Sequence, residues 1–322
     1  RRIMRYEFAP LEGITGYIYR NAHHDFFPSM DTYYTPFITP KKGKSFTARE
    51  WNDVITEHNG GMRVIPQILT NQADGFCMVA EKLKELGYRE VNLNLGCPSG
   101  TVTAKKKGSG FLAYPDELDR FLEGIFEQCS LDISIKTRIG ADDPEEFEDL
   151  LRIFNRYPVR RLIVHPRVQK DFYKNKPRTD SFALALRESK NPLCYNGDLF
   201  CREDVHKIME RFPQNDCLML GRGLLIDPGL VENIRQNREE ATETARIRAF
   251  YERLVHDYSE VLSGERDVLF KMKELWFWQG QFFEDAEKYL KKIRKAQRLS
   301  EYQAAANALF ESCPPKRGRI AL

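Results

Sequence analysis

Short apolar or β-branched runs recur between residues 6 and 220 at close to the ~30-residue spacing of a strand–helix unit. They are Tyr6–Pro10, Thr32–Phe37, Arg63–Leu69, Glu90–Leu95, Asp132–Arg138, Arg161–His165, Pro192–Asn196 and Cys217–Leu220. Amphipathic stretches follow most of them, among them Ala73–Leu86, Asp116–Gln128, Pro144–Phe154 and Arg202–Arg211. Pro115 and Pro144 stand near helix starts, where a missing N–H costs nothing. Eight alternations with no long all-β region predict an α/β chain closed into a (β/α)8 TIM barrel. A doubly wound open sheet is the alternative, but no GxGxxG follows the first strand.

The strand signal stops near Asn237. Beyond it the stretches Glu239–Leu262, Glu265–Gln279, Glu284–Leu299 and Glu301–Glu311 predict a small all-α helical domain. The expected division is therefore a barrel over 1–237 and helices over 238–322, with Trp276, Phe277, Trp278, Phe282 and Phe283 as the helical core. Composition is that of a folded globular chain, 42% hydrophobic and 30% charged. No apolar run approaches the ~20 residues of a membrane helix. No stretch reads as a signal peptide, and Arg1 reads as a trimmed start, so a cytoplasmic protein is the expectation. The seven cysteines (77, 97, 129, 194, 201, 217 and 313) form no CxxC pair and the six histidines no HExxH, so neither a metal site nor a disulfide framework is expected.

Chemistry in such folds collects at the carboxyl ends of the strands. The fourth run ends in Asn92-Leu93-Asn94-Leu95-Gly96-Cys97-Pro98, which leaves a thiol in a tight turn flanked by two amides. The first ends in Ala9-Pro10-Leu11-Glu12-Gly13, a turn whose backbone can approach a flat ring. The third carries Gln67, an amide able to pair with both a donor and an acceptor on a heterocycle edge. The fifth ends in Lys136-Thr137-Arg138, and a lysine there needs an anion, either a local carboxylate or an electron-rich cofactor edge. The sixth delivers His165, a core residue or a site residue. Asn196-Gly197-Asp198 and Gly221-Arg222-Gly223 close the seventh and eighth, where barrels bind phosphate through backbone N–H groups.

Taken in order, APLEGIT, PQ, NLNLGCPS, IKTRIG, IVHPR, CYNGD and LMLGRG resemble the landmarks of the tRNA-dihydrouridine synthase family, over about residues 6–235. The resemblance implies reduction of a uridine in tRNA to 5,6-dihydrouridine by bound FMN, with NADPH as the reductant. It implies that hydride passes from FMN N5 to uracil C6 and that Cys97 protonates C5. It further implies that Pro10, Leu11, Glu12, Gln67, Lys136 and His165 meet the flavin, and that Asn196, Gly197, Asp198, Gly221 and Arg222 hold its phosphate. Asn94, Arg138 and Tyr173 would meet the uracil, with positive charge from His165 and Arg138 at the flavin and uracil oxygens.

Two segments depart from the family. Residues 103–110, TAKKKGSG, replace a glycine-rich stretch after GCP and make a basic flap beside Cys97. Residues 165–178, HPRVQKDFYKNKPR, stand where HGRT is commoner. A stacked uracil has to be flipped out to meet a buried ring, and phosphate contacts offset that cost. Lys105, Lys106 and Lys107 in the flap are candidates, as are Lys291, Lys292 and Lys295 in the run Lys288–Arg298, which holds six cations and no acid. Lys316, Arg317 and Arg319 add charge at the tail. The partner expected is tRNA, without a membrane, and the chain a monomer. The alternatives are a barrel reductase of a small pyrimidine or enone, a synthase acting on ribosomal RNA, and a flavin-free RNA-binding protein.

Overall fold

A computed structural model describes residues 3–44 and 46–317; Arg319 lies outside them. Among the described residues there are nine parallel strands: β1 (Arg5–Phe8), β2 (Thr32–Tyr34), β3 (Val64–Ile65), β4 (Gln67–Ile68), β5 (Glu90–Leu95), β6 (Asp132–Arg138), β7 (Leu162–His165), β8 (Leu193–Asn196) and β9 (Cys217–Leu220). They hydrogen-bond in the order β3-β2-β1-β9-β8-β7-β6-β5-β4. The two ends of that order are halves of one extended stretch. Pro66, which has no N–H to give a ladder, separates β3 from β4. β3 pairs with β2 and β4 with β5, while Asn92 N–H donates to the Pro66 carbonyl. The sheet thus closes on itself as the eight-stranded TIM barrel that the repeat predicted, its third strand interrupted by one proline.

Amphipathic helices supply the outer layer because their apolar residues fall on one face. Ala73–Glu85 buries Phe76, Val79, Ala80 and Leu83, and Glu146–Phe154 buries Phe147, Leu150, Leu151 and Phe154. Pro115 opens the helix Pro115–Gln128 at its first turn. Strands covered on both sides should be buried throughout, and β7, β8 and β9 are. Ala9, Tyr34, Ile65, Ile163, Cys194, Cys217 and Met219 pack together from strands around the sheet, which places them inside the barrel.

The chain divides into two compact units. The first comprises residues 1–12, 31–198 and 209–220 and holds all nine strands. The second comprises 13–30, 199–208 and 221–322. Its main helices are Tyr17–Phe26, Thr244–Val261, Glu265–Gln279, Glu287–Lys295 and Leu299–Ser312. Trp276 centres its core, donating from Nε1 to the Tyr302 hydroxyl at 2.8 Å, with its ring 4.9 Å from Tyr251 and 5.2 Å from Phe310. Phe282 and Phe283 are buried with it, but Phe277 is 67% exposed and Trp278 half-buried. Consecutive helical residues point about 100° apart, so a run of neighbouring aromatics cannot all face one core.

Candidate active site

The turn after β5 is built by one side chain. Asn94 Oδ1 accepts from the backbone N–H of both Gly96 and Cys97, at 3.0 Å each. Its Nδ2 donates to Gln67 Oε1, Gln67 Nε2 to Asn92 Oδ1, and Asn92 Nδ2 to Ser134 Oγ, all at 2.9 Å. This buried chain runs in one direction across β4, β5 and β6, so every amide in it has a fixed orientation. Asn94 therefore positions Cys97 with its oxygen, an arrangement the family-implied uracil contact did not include.

The basic flap is locked to the same turn. Ser109 donates to the Cys97 carbonyl from its backbone N–H at 3.0 Å and from its hydroxyl at 2.9 Å. Gly108 adopts φ +58°, and a Cβ there would lie 2.7 Å from that carbonyl oxygen. The Lys105 carbonyl accepts from Asn71. Lys106 lies 4.4 Å from the centre of the Tyr114 ring and 4.0 Å from a Glu117 oxygen. Lys105 and Lys106 are exposed, and Lys107 is half-buried.

Burial pushes the half-buried Cys97 thiol above its ordinary pKa, outweighing the Ser99 backbone hydrogen bond and the Lys136 and Arg138 charges that pull it down. Both cations lie on β6, where Lys136 is the register partner of Asn94 and Arg138 that of His165. Arg138 is 1% exposed. Its Nη1 donates to the Val168 carbonyl at 3.0 Å and its guanidinium lies 5.4 Å from the centre of the exposed Tyr173 ring. Burial lowers its pKa to about 10.

Arg167, whose contacts the departure from HGRT left open, organises the other side. It is 1% exposed and grips both oxygens of Asp198, at 2.7 and 2.8 Å. It also donates to the carbonyls of Tyr173, Lys174 and Asn175, and its Nη1 lies 2.9 Å from His165 Nε2. Asp171 fastens the same loop. Burial alone would raise its carboxyl, but hydrogen bonds from Arg178, Asn175 and the Val168 N–H hold it at about 2. Gly197 has φ +144°, and a Cβ there would lie 3.1 Å from His165 Cδ2. Asn196 Nδ2 donates to the Met219 carbonyl at 3.0 Å.

The first unit thus gathers Gln67, Asn94, Cys97, Lys136, Arg138, His165, Tyr173 and Asn196–Asp198 at the carboxyl ends of neighbouring strands. Pro10 and Leu11 are half-buried after β1, and exposed Glu12 pairs with Arg49 at 2.8 Å. In the second unit, Gly221 precedes the helix Arg222–Ile226 and Arg222 lies 5.0 Å from the centre of the Phe200 ring. A Cβ on Gly223 would come within 2.0 Å of the Leu199 carbonyl oxygen, so only glycine fits. Lys291, Lys292 and Lys295 are exposed and line, with Lys288, Glu301 and Ala304, Ala305 and Ala308, a groove of about 650 Å³. Among the described residues no helix is long and apolar enough to cross a membrane.

Sequence reasoning missed Ser134 and the role of Arg167, whose partners come from other strands and loops. It also missed Glu7, Cys194 and Cys217, whose side-chain oxygen and sulfur atoms lie within 4.8 Å of one another inside the barrel. Tyr34 donates to Glu7 at 2.9 Å, and burial holds the Glu7 carboxyl and the Cys194 thiol toward their protonated forms. Register was the available signal: residues paired across parallel strands share a face.

A family model described as dihydrouridine synthase (Dus) matches residues 7–313. The chain is 26% identical over 235 residues to tRNA-dihydrouridine synthase B of Vibrio cholerae serotype O1, covering 73% of this chain and 72% of that one. It is 26% identical over 245 residues to a probable tRNA-dihydrouridine synthase of Staphylococcus aureus (strain COL), with the same shares covered. Among solved structures, morphinone reductase in complex with tetrahydroNAD superposes with a TM-score of 0.53 at 13% identity, over 74% of this chain and 88% of that one. Histamine dehydrogenase from Rhizobium sp. 4-9 superposes with a TM-score of 0.57 at 10% identity, over 73% and 46%. At such identities the two structures speak for the barrel alone.

Proposed function

The chain belongs to the dihydrouridine synthase family, and from that premise we propose that it reduces a uridine of tRNA to 5,6-dihydrouridine, using bound FMN and NADPH. The donor set fits such a cofactor. An ammonium (Lys136), a carboxamide (Gln67) and an imidazole (His165) on β6, β4 and β7 supply what the carbonyl and nitrogen edge of an isoalloxazine takes up. Pro10, Leu11 and Glu12 would flank the ring. Asn196, Gly197 and Asp198 would serve the phosphate, Asp198 through its backbone N–H, since its carboxylate is engaged by Arg167. Bound FMN supplies the hydride that reduces the uracil at C6.

The remaining chemistry is a proton at C5, and the observation that carries the reading is the state of Cys97. A general acid must hold its proton at working pH. Burial does this for the Cys97 thiol. Donation leaves a thiolate, and the Lys136 and Arg138 charges, which already pull the thiol's pKa down, stabilise it. The Asn94 clamp on the Gly96 and Cys97 N–H groups and the Ser109 clamp on the Cys97 carbonyl hold the backbone from which the thiol projects. Exposed lysines supply contacts for RNA phosphates.

The test is dihydrouridine content, position by position, in RNA from cells lacking this gene and from cells given it back as wild type or Cys97→Ala. Loss at a tRNA position, restored by wild type and not by the variant, is the expected result. A change confined to ribosomal RNA would overturn the partner, and unchanged RNA would turn the reading toward a small-molecule reductase.

A further inference from the structure

We propose that His165 works as a neutral imidazole carrying its proton on Nδ1, and that Arg167 is the positioning residue that holds it there. A guanidinium has five N–H donors and no acceptor. Arg167 Nη1 lies 2.9 Å from His165 Nε2, so Nε2 receives that hydrogen bond with its lone pair. A proton on Nε2 would set one N–H against another beside a full positive charge. The ring's single proton therefore belongs on Nδ1.

Neither partner has room to rearrange. Arg167 is buried, its fork is closed on Asp198, and its other donors are spent on the carbonyls of residues 173–175. On the β8 side the backbone at Gly197 comes so close that a methyl group would crowd the imidazole. The cationic neighbours act in the same direction. From β6, Arg138 is the register partner of His165 and Lys136 lies two residues before it. From the loop after β7, the Tyr173 ring lies 6.2 Å from the imidazole. Asp198 is the carboxylate on the β8 side, and both its oxygens face Arg167. The carboxylates on this side, Asp198 and Asp171, are engaged by Arg167 and Arg178, and an imidazolium here would face repulsion from Arg167.

The consequence rests on the reading that His165 meets the flavin. Its part is then a hydrogen bond from Nδ1–H, with Lys136 supplying the positive charge and Cys97 the proton. This replaces the positive charge that the family resemblance implied for His165. It also gives the HPR sequence a reason: the arginine two residues on sets the tautomer of the histidine.

Long-range ¹H–¹⁵N correlation spectra of histidine-labelled protein, recorded from about pH 5 to 8, test this directly. The His165 signals are identified by their loss in His165→Asn. The expected spectrum shows His165 as the Nδ1–H tautomer at every pH. An Nε2–H tautomer, or titration near the ordinary value of about 6.5, would overturn the proposal. Arg167→Gln removes the charge but keeps a donor, and His165 should then titrate; an unchanged Nδ1–H state would remove Arg167 as the cause. The measurement needs neither tRNA nor turnover. An unchanged dihydrouridine content would thus defeat the function and leave the tautomer standing, and the reverse outcome would do the opposite.

Discussion

Burial acts on single carboxyl and thiol groups throughout this chain, and its sign depends on what each group must do. At Cys97 it keeps a proton where an acid needs one. At Asp227, in the second unit, the same effect costs stability. Burial raises that carboxyl to about 6, although Thr242 Oγ1 and the Gly229 N–H both donate to its Oδ1. The folded state then binds the proton more tightly than the unfolded chain, whose value is 3.8. The stabilisation is complete below 3.8 and is lost as the pH rises through about 6. Asp227→Asn keeps an oxygen for both donors and carries no charge. Thermal unfolding should show the variant more stable by on the order of 1–2 kcal/mol at pH 7–8, since water reaches the half-buried residue, with the gap closing below about pH 4. Equal midpoints at pH 7.5 would contradict this. The positions of Cys97, Gln67, Lys136 and His165 were legible in the sequence because each lies in or just after a recognisable strand. Arg167 was not, because its meaning comes from Asp198, which lies thirty-one residues on.

Elements were legible where burial imposes a simple rule. β9 reads as a continuous apolar run and β5 and β6 as apolar residues alternating with polar ones, and all three match the sequence reading residue for residue. The third run was seen whole, but its division at Pro66 is a matter of which neighbour each half pairs with. Within the aromatic cluster, position along the chain misled, and rotation about the helix decided between Trp276 and Phe277. The helix Glu287–Lys295 keeps its charged face, with Ile293 buried beneath it. If that face meets RNA phosphates, neutralising Lys291, Lys292 and Lys295 together should weaken tRNA binding and reduce the slope of log affinity against log salt by roughly 2–3. NADPH oxidation should not change. An unaltered slope would remove this helix from RNA binding.

At the scale of the whole molecule, the chain returns repeatedly to each of its two units. Residues 13–30 and 199–208 belong with the tail helices. No local pattern marks them, because they fall inside the strand–helix repeat. What binds residues 13–30 there is packing across more than two hundred residues. Tyr19 sets its ring edge-on to Phe250 at 5.5 Å, and Arg246 donates to the Phe26 carbonyl. The His23 ring pairs with the Pro228 carbonyl at 2.9 Å, and burial holds that histidine at about 4. Reduction of uridine in tRNA with Cys97 as the acid divides into two half-reactions. Its most direct test is an anaerobic two-step experiment on purified wild type and Cys97→Ala, following flavin reduction by NADPH and then its reoxidation by tRNA. Equal reduction rates are expected, with reoxidation slower in the variant by about 10²–10⁴-fold, the range for loss of a general acid. Reoxidation of the variant at the wild-type rate would contradict it.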